Sequence, residues 1–426
     1  MKFLILTQYF PPEIGAVPTR LDAMARELLR LGHRVEIVTG MPNYPSGRIS
    51  PGYRGSFYRR EVREGIVIHR VWLYPTVGSG IGRVLNYLSF SVLALYGLLR
   101  SERPDYVFVE SPPPTLSCPA YLFARLHRIP FILNVADLWP DTLVEMGLLN
   151  KGIALKLLYW LEAWSYRKAA CVNAVTEGIR ESLLRMKNVP AEKVLFLPNG
   201  VDTVRHQPCP CDGTLKESLG LAGKKVVLYS GTLGRAHGLE HVLQAAKILE
   251  NEQDIHFLFL GDGSERPALE KQQRQLGLRN VTFHDAVSVD QLAPYQSIAE
   301  CGLVSLRNLT IFEGARPSKM FPILAAGKPL IFCGSGEGAN LIRRAKAGIV
   351  LPPENARALA VALPQFLRNT ALVEELGRNG RSFVKENHEW SKLVGDWARE
   401  LGDAPSSVNT TRVRPSQQAT EQHSNS

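Results

Sequence analysis

An α/β fold built from two doubly wound parallel sheets is what this sequence predicts, on three observations. Apolar strand-like runs alternate with stretches of helical periodicity along most of the chain. The strands are apolar on both faces, as in sheets covered on each side by helices. The pattern then stops at a linker bearing proline and cysteine, roughly 203–213, and starts again. At 426 residues the chain exceeds one ordinary core and suits two domains. The expected division is 1–202, the linker 203–213, a second domain 214–385, a helix at 386–402 returning to the first domain, and a disordered tail at 403–426.

Lys2–Thr7 reads as the first strand. A loop with Pro11, Pro12 and Gly15 follows, and Leu21, Met24, Ala25, Leu28 and Leu29 then recur at helical spacing. Gly32-His33 closes that helix and Val35–Thr39 is the next strand, a unit of the mononucleotide-binding kind. Further strands are expected at Ile66–Val71, Tyr106–Glu110, Phe131–Val135, Cys171–Val175 and from Val194, with helices at Pro119–Leu126, Ile153–Lys168 and Glu177–Met186. The second half repeats the theme. Strands fall at Lys225–Ser230, Ile255–Leu260, Val281–His284, Gly302–Leu306 and Leu330–Cys333; helices fall at Leu239–Leu249, Ser264–Leu276 and Gln291–Ile298, with another opening at Pro317. Three helices near 357–367, 372–386 and 390–401 end the ordered chain, and the polar stretch after Asp403 has no apolar periodicity.

The apolar fraction of 45% and charged fraction of 21% are those of a soluble globular enzyme. A formal charge of +10 is spread among acidic residues, densest at Arg48, Arg54, Arg59, Arg60, Arg63 and Arg70. That density reads either as a solvated loop or as a surface for acidic headgroups or a diphosphate-linked substrate. No nucleic-acid-binding motif accompanies it, so no nucleic-acid partner is expected. The six cysteines are scattered, with Cys118, Cys171 and Cys333 in apolar surroundings, and Cys209-Pro-Cys211 lacks a second pair at metal-ligand spacing. A reducing compartment with no disulfide and no metal follows, and the first residues read as a strand rather than a signal peptide. The uncharged stretch 84–99, 16 residues, is short of the ~20 that span a bilayer. A helix buried against the first sheet is the favoured reading, and an interfacial helix beside the arginines the alternative.

Chemistry concentrates at glycine-rich turns after strands of the second half, where parallel sheets bind ligands. Ser230–Gly238 carries Gly231, Gly234 and the forked donor Arg235; its plainer reading is a tight turn with a surface arginine. Gly261 and Gly263 leave room for a flat base or a pyrophosphate, or simply form a β-turn. Pro317-Ser318-Lys319 opens a helix whose free N–H groups and dipole suit a diphosphate. None of these is a Walker loop or a Gly-x-Gly-x-x-Gly fingerprint, so ATPase and dehydrogenase chemistry is not expected.

Six motifs together resemble glycosyltransferase family 4, over about residues 1–400. They are Tyr9-Phe10-Pro11-Pro12-Glu13 with Gly15, Gly32-His33 with Val35, Asp137-Leu138-Trp139-Pro140, Pro198-Asn199-Gly200-Val201-Asp202, the Gly231–Gly238 turn and Pro317-Ser318-Lys319. The resemblance is strongest to bacterial transferases of the N-acetylfucosamine, capsule and O-antigen type. It implies the GT-B fold, two Rossmann-like domains facing a central cleft, and a retaining, metal-independent transfer of sugar from a nucleotide diphosphate to a lipid-linked or glycan acceptor. By that resemblance Asp137, Arg235 and Lys319 are the catalytic candidates. Gly231, Gly234, His237, Gly261, Gly263 and Ser318 would bind the donor, and Gly15, Glu13, Arg59 and Arg60 the acceptor. No cofactor is implied beyond the donor, which is a substrate, and the expected location is the cytoplasm at the inner face of the membrane. Asp137 reads equally as a turn or cap aspartate. Three positions depart from the family pattern: Pro322 replaces a ribose-binding glutamate, for which Glu313 or Glu337 are substitutes, His237 replaces a lysine, and Ala136 a histidine. A nucleotide-sugar epimerase or an inactive sugar-nucleotide-binding module are the alternatives.

Overall fold

The computed structural model describes residues 1–44, 46–76, 80–149 and 152–403; the expected tail, from 404 onward, lies outside them. The first sheet has strands β1 (Lys2–Leu6), β2 (Arg34–Gly40), β3 (Tyr58–Arg63), β4 (Ile66–Val71), β5 (Tyr106–Ser111), β6 (Phe131–Val135), β7 (Cys171–Ala174) and β8 (Val194–Phe196) in the order β3-β4-β2-β1-β5-β6-β7-β8. All neighbours are parallel except β3 and β4, which pair antiparallel from Tyr58↔Val71 to Arg63↔Ile66. The second sheet has β9 (Lys225–Ser230), β10 (Ile255–Leu260), β11 (Val281–His284), β12 (Ala299–Ser305), β13 (Leu330–Cys333) and β14 (Gly348–Leu351), all parallel, in the order β11-β10-β9-β12-β13-β14. The doubly wound α/β architecture is therefore as the strand–helix alternation predicts.

Right-handed crossovers decide which face each helix covers. The step from β1 leftward to β2 puts helix Ala16–Arg30 on one face. The rightward steps from β4 to β5, β6, β7 and β8 put Ile81–Arg100, Ser117–His127, Ile153–Lys168 and Glu177–Arg185 on the other. The two cores match that division: Leu21, Met24 and Leu28 pack with Phe3 and Ile37, whereas Phe90, Ala94 and Phe123 pack with Leu4 and Val109. The last helix, Trp390–Asp403, joins the first of these cores through Trp390, Val394 and Trp397.

Two expectations are corrected here. The arginine-rich stretch holds edge strand β3 rather than a loop, and Arg70 is fully buried, donating to Glu61 at 2.6 Å and to the Pro11 carbonyl. An alternation of Arg and Glu hid the strand because β3 is an edge with polar outward residues. The uncharged segment belongs to a 20-residue helix, Ile81–Arg100, which packs on the first sheet as favoured from sequence but through one face alone, so that only a third of its most apolar window is buried. All six cysteines are free; Cys118, expected in apolar surroundings, is exposed.

Candidate active site

A cleft of about 1710 Å³ lies between the sheets' carboxyl ends. It is larger than the ~300–1,000 Å³ that encloses one small ligand, so it has room for two substrates. Asp137, His237, Glu313, Ser318 and Glu337 all line it, together with Arg20 and Asn199.

Lys319 directly precedes helix Met320–Ala325 of the second lobe. Its ammonium donates to the Tyr229 hydroxyl, sits 3.1 Å from His237 Nε2 and lies 4.2 Å from the centre of the Tyr229 ring. Tyr229 Oη itself donates to the Thr232 carbonyl at 2.6 Å, so its lone pair is what Lys319 meets. His237 Nδ1 lies 3.3 Å from the Ser305 carbonyl, an acceptor only. The Nδ1–H tautomer therefore follows, leaving Nε2 to accept from the ammonium. Burial, reinforced by Lys319, holds His237 well below its ordinary pKa and hence neutral. Burial likewise pushes Lys319 down to about 7. Among the described residues no carboxylate pairs with Lys319, so the site keeps a cation among neutral acceptors.

The glycines act differently from the sequence expectation. A β-carbon on Gly261 would stand 2.0 Å from the Gly231 carbonyl oxygen, and one on Gly263 would stand 2.4 Å from that of Leu233. Those two positions are small because the 231–234 and 261–263 loops lie backbone to backbone, not to leave space for a base. Gly231, at φ 136°, would place a β-carbon 3.3 Å from Lys319 Cε, so it is the glycine that admits the lysine stem. Gly234 has open contact only with Thr232. The helix expected to open at Pro317 begins at Met320 and runs six residues to Ala325. Ser318 and Lys319 thus precede its first turn, and the positive charge there belongs to the lysine rather than to a long dipole. Arg235 is exposed and 3.3 Å from Glu265, outside the cleft lining.

On the first lobe, Asp137 accepts from Thr142 Oγ1 at 2.7 Å at the head of helix Asp141–Glu145. Burial raises its pKa against that bond. Gly15 caps helix Ala16–Arg30. Glu13 is committed elsewhere: its carboxylate accepts from the backbone N–H groups of Phe10, Asn43 and Tyr44 at 3.2, 3.0 and 3.0 Å. It braces two loops, and burial outweighs those bonds and lifts it to about 7. Arg59 and Arg60 sit on β3, away from the cleft lining, with Arg59 donating to the Gly52 carbonyl at 2.7 Å.

The lobes touch directly. Tyr44 lies beside Thr232 and Asp262 of the opposite lobe. Glu337 accepts from the N–H groups of Glu177 and Gly178 at 3.1 and 2.8 Å, capping an N-terminal-lobe helix from across the cleft, while Arg316 stands 3.3 Å away. Its carboxylate is therefore engaged, whereas Glu313 is exposed on the cleft wall. Gly178 and Gly314 meet without side chains: a β-carbon on Gly178 would be 2.3 Å from Gly314 Cα.

The chain matches the family description "Glycosyl transferase 4-like domain" over residues 15–200 and "Glycosyl transferases group 1" over 213–383. WcaI of Escherichia coli (strain K12), named as a colanic acid biosynthesis glycosyl transferase, is 30% identical over 402 residues, 91% of this chain and 97% of that one. The chain belongs to glycosyltransferase family 4. Its GT-B fold also matches solved structures. Sucrose-phosphate synthase from Thermosynechococcus elongatus superposes with a TM-score of 0.73 at 18% identity, covering 95% of this chain and 100% of that one. HepE of Anabaena, in complex with UDP and glucose, gives 0.71 at 16%, again over 95% and 100%.

Sequence reasoning for this family-4 chain missed Arg20 and Tyr229. Arg20 is buried against Glu110 and 3.4 Å from Asn199 Oδ1, with no hydrogen-bond partner on its Nε among the described residues. Glu110 accepts from Asn134 at 2.7 Å, Asn134 from Asn173 at 2.7 Å, and Asn173 from Trp397 Nε1 at 3.1 Å. A signal existed: Glu110, Asn134 and Asn173 stand at one register across β5, β6 and β7, whose other residues, Ser111 apart, are apolar or aromatic. Tyr229, inside an apolar strand, gave none.

Proposed function

We propose that this protein is a retaining glycosyltransferase that moves a hexosyl or N-acetylhexosaminyl group from a nucleoside diphosphate to a lipid-linked or glycan acceptor in cell-envelope polysaccharide synthesis. It works without a metal ion, in the cytoplasm at the inner membrane face. The observation that carries this reading is Lys319, an amine pushed down to about 7 with no carboxylate partner among the described residues, next to Ser318 and His237 of a cleft large enough for two substrates. The names of WcaI and of the UDP-bound HepE support the class of pathway and of donor.

On this reading the second lobe takes the donor. As the bond from the anomeric carbon to the diphosphate oxygen lengthens, negative charge grows on the leaving group and oxocarbenium character on the sugar. Lys319 would stabilise that charge, with Ser318 donating a hydroxyl and Arg235 turning from Glu265 to the outer phosphate. His237 holds the lysine in place by accepting one of its protons. Glu313, free on the cleft wall, would take the ribose in place of a residue at Pro322. Asp137 would orient the acceptor hydroxyl, with Arg20 Nε–H facing the acceptor side. The transferred hydroxyl proton would leave with the departing diphosphate, as retention with a same-face attack requires.

A donor screen by mass spectrometry, with membrane extract as acceptor source, tests the proposal. Free nucleoside diphosphate together with an elongated lipid supports it. An epimerised sugar nucleotide, or binding without turnover for every donor, overturns it.

A further inference from the structure

We infer that the outward face of three helices in the first lobe, Ile81–Arg100, Ser117–His127 and Ile153–Lys168, is a docking surface for an anionic lipid bilayer. The inference deepens the reading of a lipid-linked acceptor by naming the surface that would bring the cleft to it.

Helix Ile81–Arg100 is apolar on the wrong side. Its inner face, Phe90, Ala94 and Leu98, packs on the sheet, and Gly97 lies so close that a β-carbon would be 2.7 Å from Val38. Yet Ile81, Leu85, Leu88, Val92, Tyr96 and Leu99 form a second stripe at spacings of three and four, with exposures from 39% to 81%. Such spacing keeps them on one side of a helix roughly 30 Å long. The neighbouring helices continue the stripe with Leu122 and Leu126, then Ile153, Leu157 and Trp160, all more than half exposed. Single exposed apolar residues are ordinary, but a contiguous set on three adjacent helices marks a surface meant to be covered.

The charges select the cover. Helices Ile81–Arg100 and Ser117–His127 contain no acidic residue, and the one acid of Ile153–Lys168, Glu162, is buried on Tyr166 and Lys187. Exposed Arg100, Arg125, Lys156, Arg167 and Lys168 border the apolar stripe. Arg60 adds to them, because alternation along β3 puts it on the same side as Tyr58, whose ring meets Tyr96. Apolar and aromatic residues ringed by cations, with no exposed carboxylate on the three helices, fit a headgroup–acyl boundary carrying negative charge. Since Ile81–Arg100 is fastened along the sheet, it lies in the plane of that boundary rather than crossing it.

The test is co-flotation of the full chain with vesicles of phosphatidylcholine alone or with added phosphatidylglycerol, comparing the wild type with Leu88→Glu/Val92→Glu. Both substitutions are at exposed positions, and calorimetric binding of a nucleoside diphosphate reports whether the variant stays folded. The wild type should float with phosphatidylglycerol vesicles, more weakly as salt rises, and the variant should partition at least ~10-fold less. Three results would overturn the inference: a wild type that stays in solution, a variant that floats equally, or a vesicle-free dimer that the variant converts to monomer. The assay holds neither donor nor acceptor, so its failure leaves glycosyl transfer standing. Flotation without any lipid product, conversely, would sink only the lipid-linked acceptor.

Discussion

The two lobes share a winding pattern but differ in one charge: the second pairs Arg316 with Glu337 yet leaves Lys319 without a carboxylate among the described residues. In the first, buried ions are paired: Arg20 with Glu110, Arg70 with Glu61, and Lys2 with Glu36 at 2.7 Å. A ladder of Glu110, Asn134 and Asn173 then links three strands to Trp397 of the returning helix. In the second, Lys319 is partly buried and, among the described residues, meets a phenol and a neutral imidazole but no carboxylate. Paired charge is inert and gives the first lobe a rigid frame. An amine whose pKa is lowered to about 7, with no carboxylate beside it among the described residues, is instead suited to receive an anion.

The comparison can be broken most severely at Glu110. Glu110→Gln should leave Arg20 buried without its partner and cost about 3–5 kcal/mol, read as a lowered midpoint in urea; an unchanged midpoint would mean the pair is not part of the frame. Lys319→Ala should lower turnover by ~10²-fold or more with little loss of stability. An unchanged rate in a folded variant would take the lysine out of the chemistry. Between the lobes, Gly178→Ala drives a methyl into Gly314 and should reduce turnover by ~10-fold or more by displacing one wall of the cleft. Small-angle scattering should show a more open particle, and identical scattering and rate would refute the direct contact.

The pH dependence sharpens the same contrast. On the proposed reading the donor binds to the protonated amine, so affinity should be flat below pH 7 and fall up to tenfold per unit above it. Lys319→Arg should flatten that profile, because guanidinium stays charged. A wild-type affinity indifferent to pH between 6 and 9 would contradict the assignment. Without ligand the sign reverses. From about 7 to 10.5 the unfolded chain holds a proton that the folded one has shed, so stability rises with pH across that window. The smallest effect is expected at Arg59: it lies on an edge strand away from the cleft, so Arg59→Ala should change stability by no more than about 0.5 kcal/mol and leave turnover alone.

Much of this was legible before any coordinates. Strand Ile66–Val71 and helix Ile153–Lys168 fall where the apolar runs and periodicity put them. Strand β14 and helix Gly336–Ala345 escaped notice, the first because Gly348–Leu351 is only four partly buried residues, the second because two glycines interrupt its start. The glycines at 261 and 263 were visible as special, but not the neighbouring loop that demands them. The same holds for Glu13 and Glu337, whose carboxylates look free in a list of residues and are engaged by backbone N–H groups from distant segments.

What the sequence alone determined is local and periodic: alternating elements, the restart after the linker, and the motifs of the family. Those follow from side-chain pattern and backbone sterics within a few residues. Tertiary structure decided the rest, since an amine's pKa depends on which groups from residues 90 and 82 positions away in sequence come to surround it. It also decided which apolar stripe of helix Ile81–Arg100 meets the sheet and which is left facing outward, because both stripes read alike until one of them is covered.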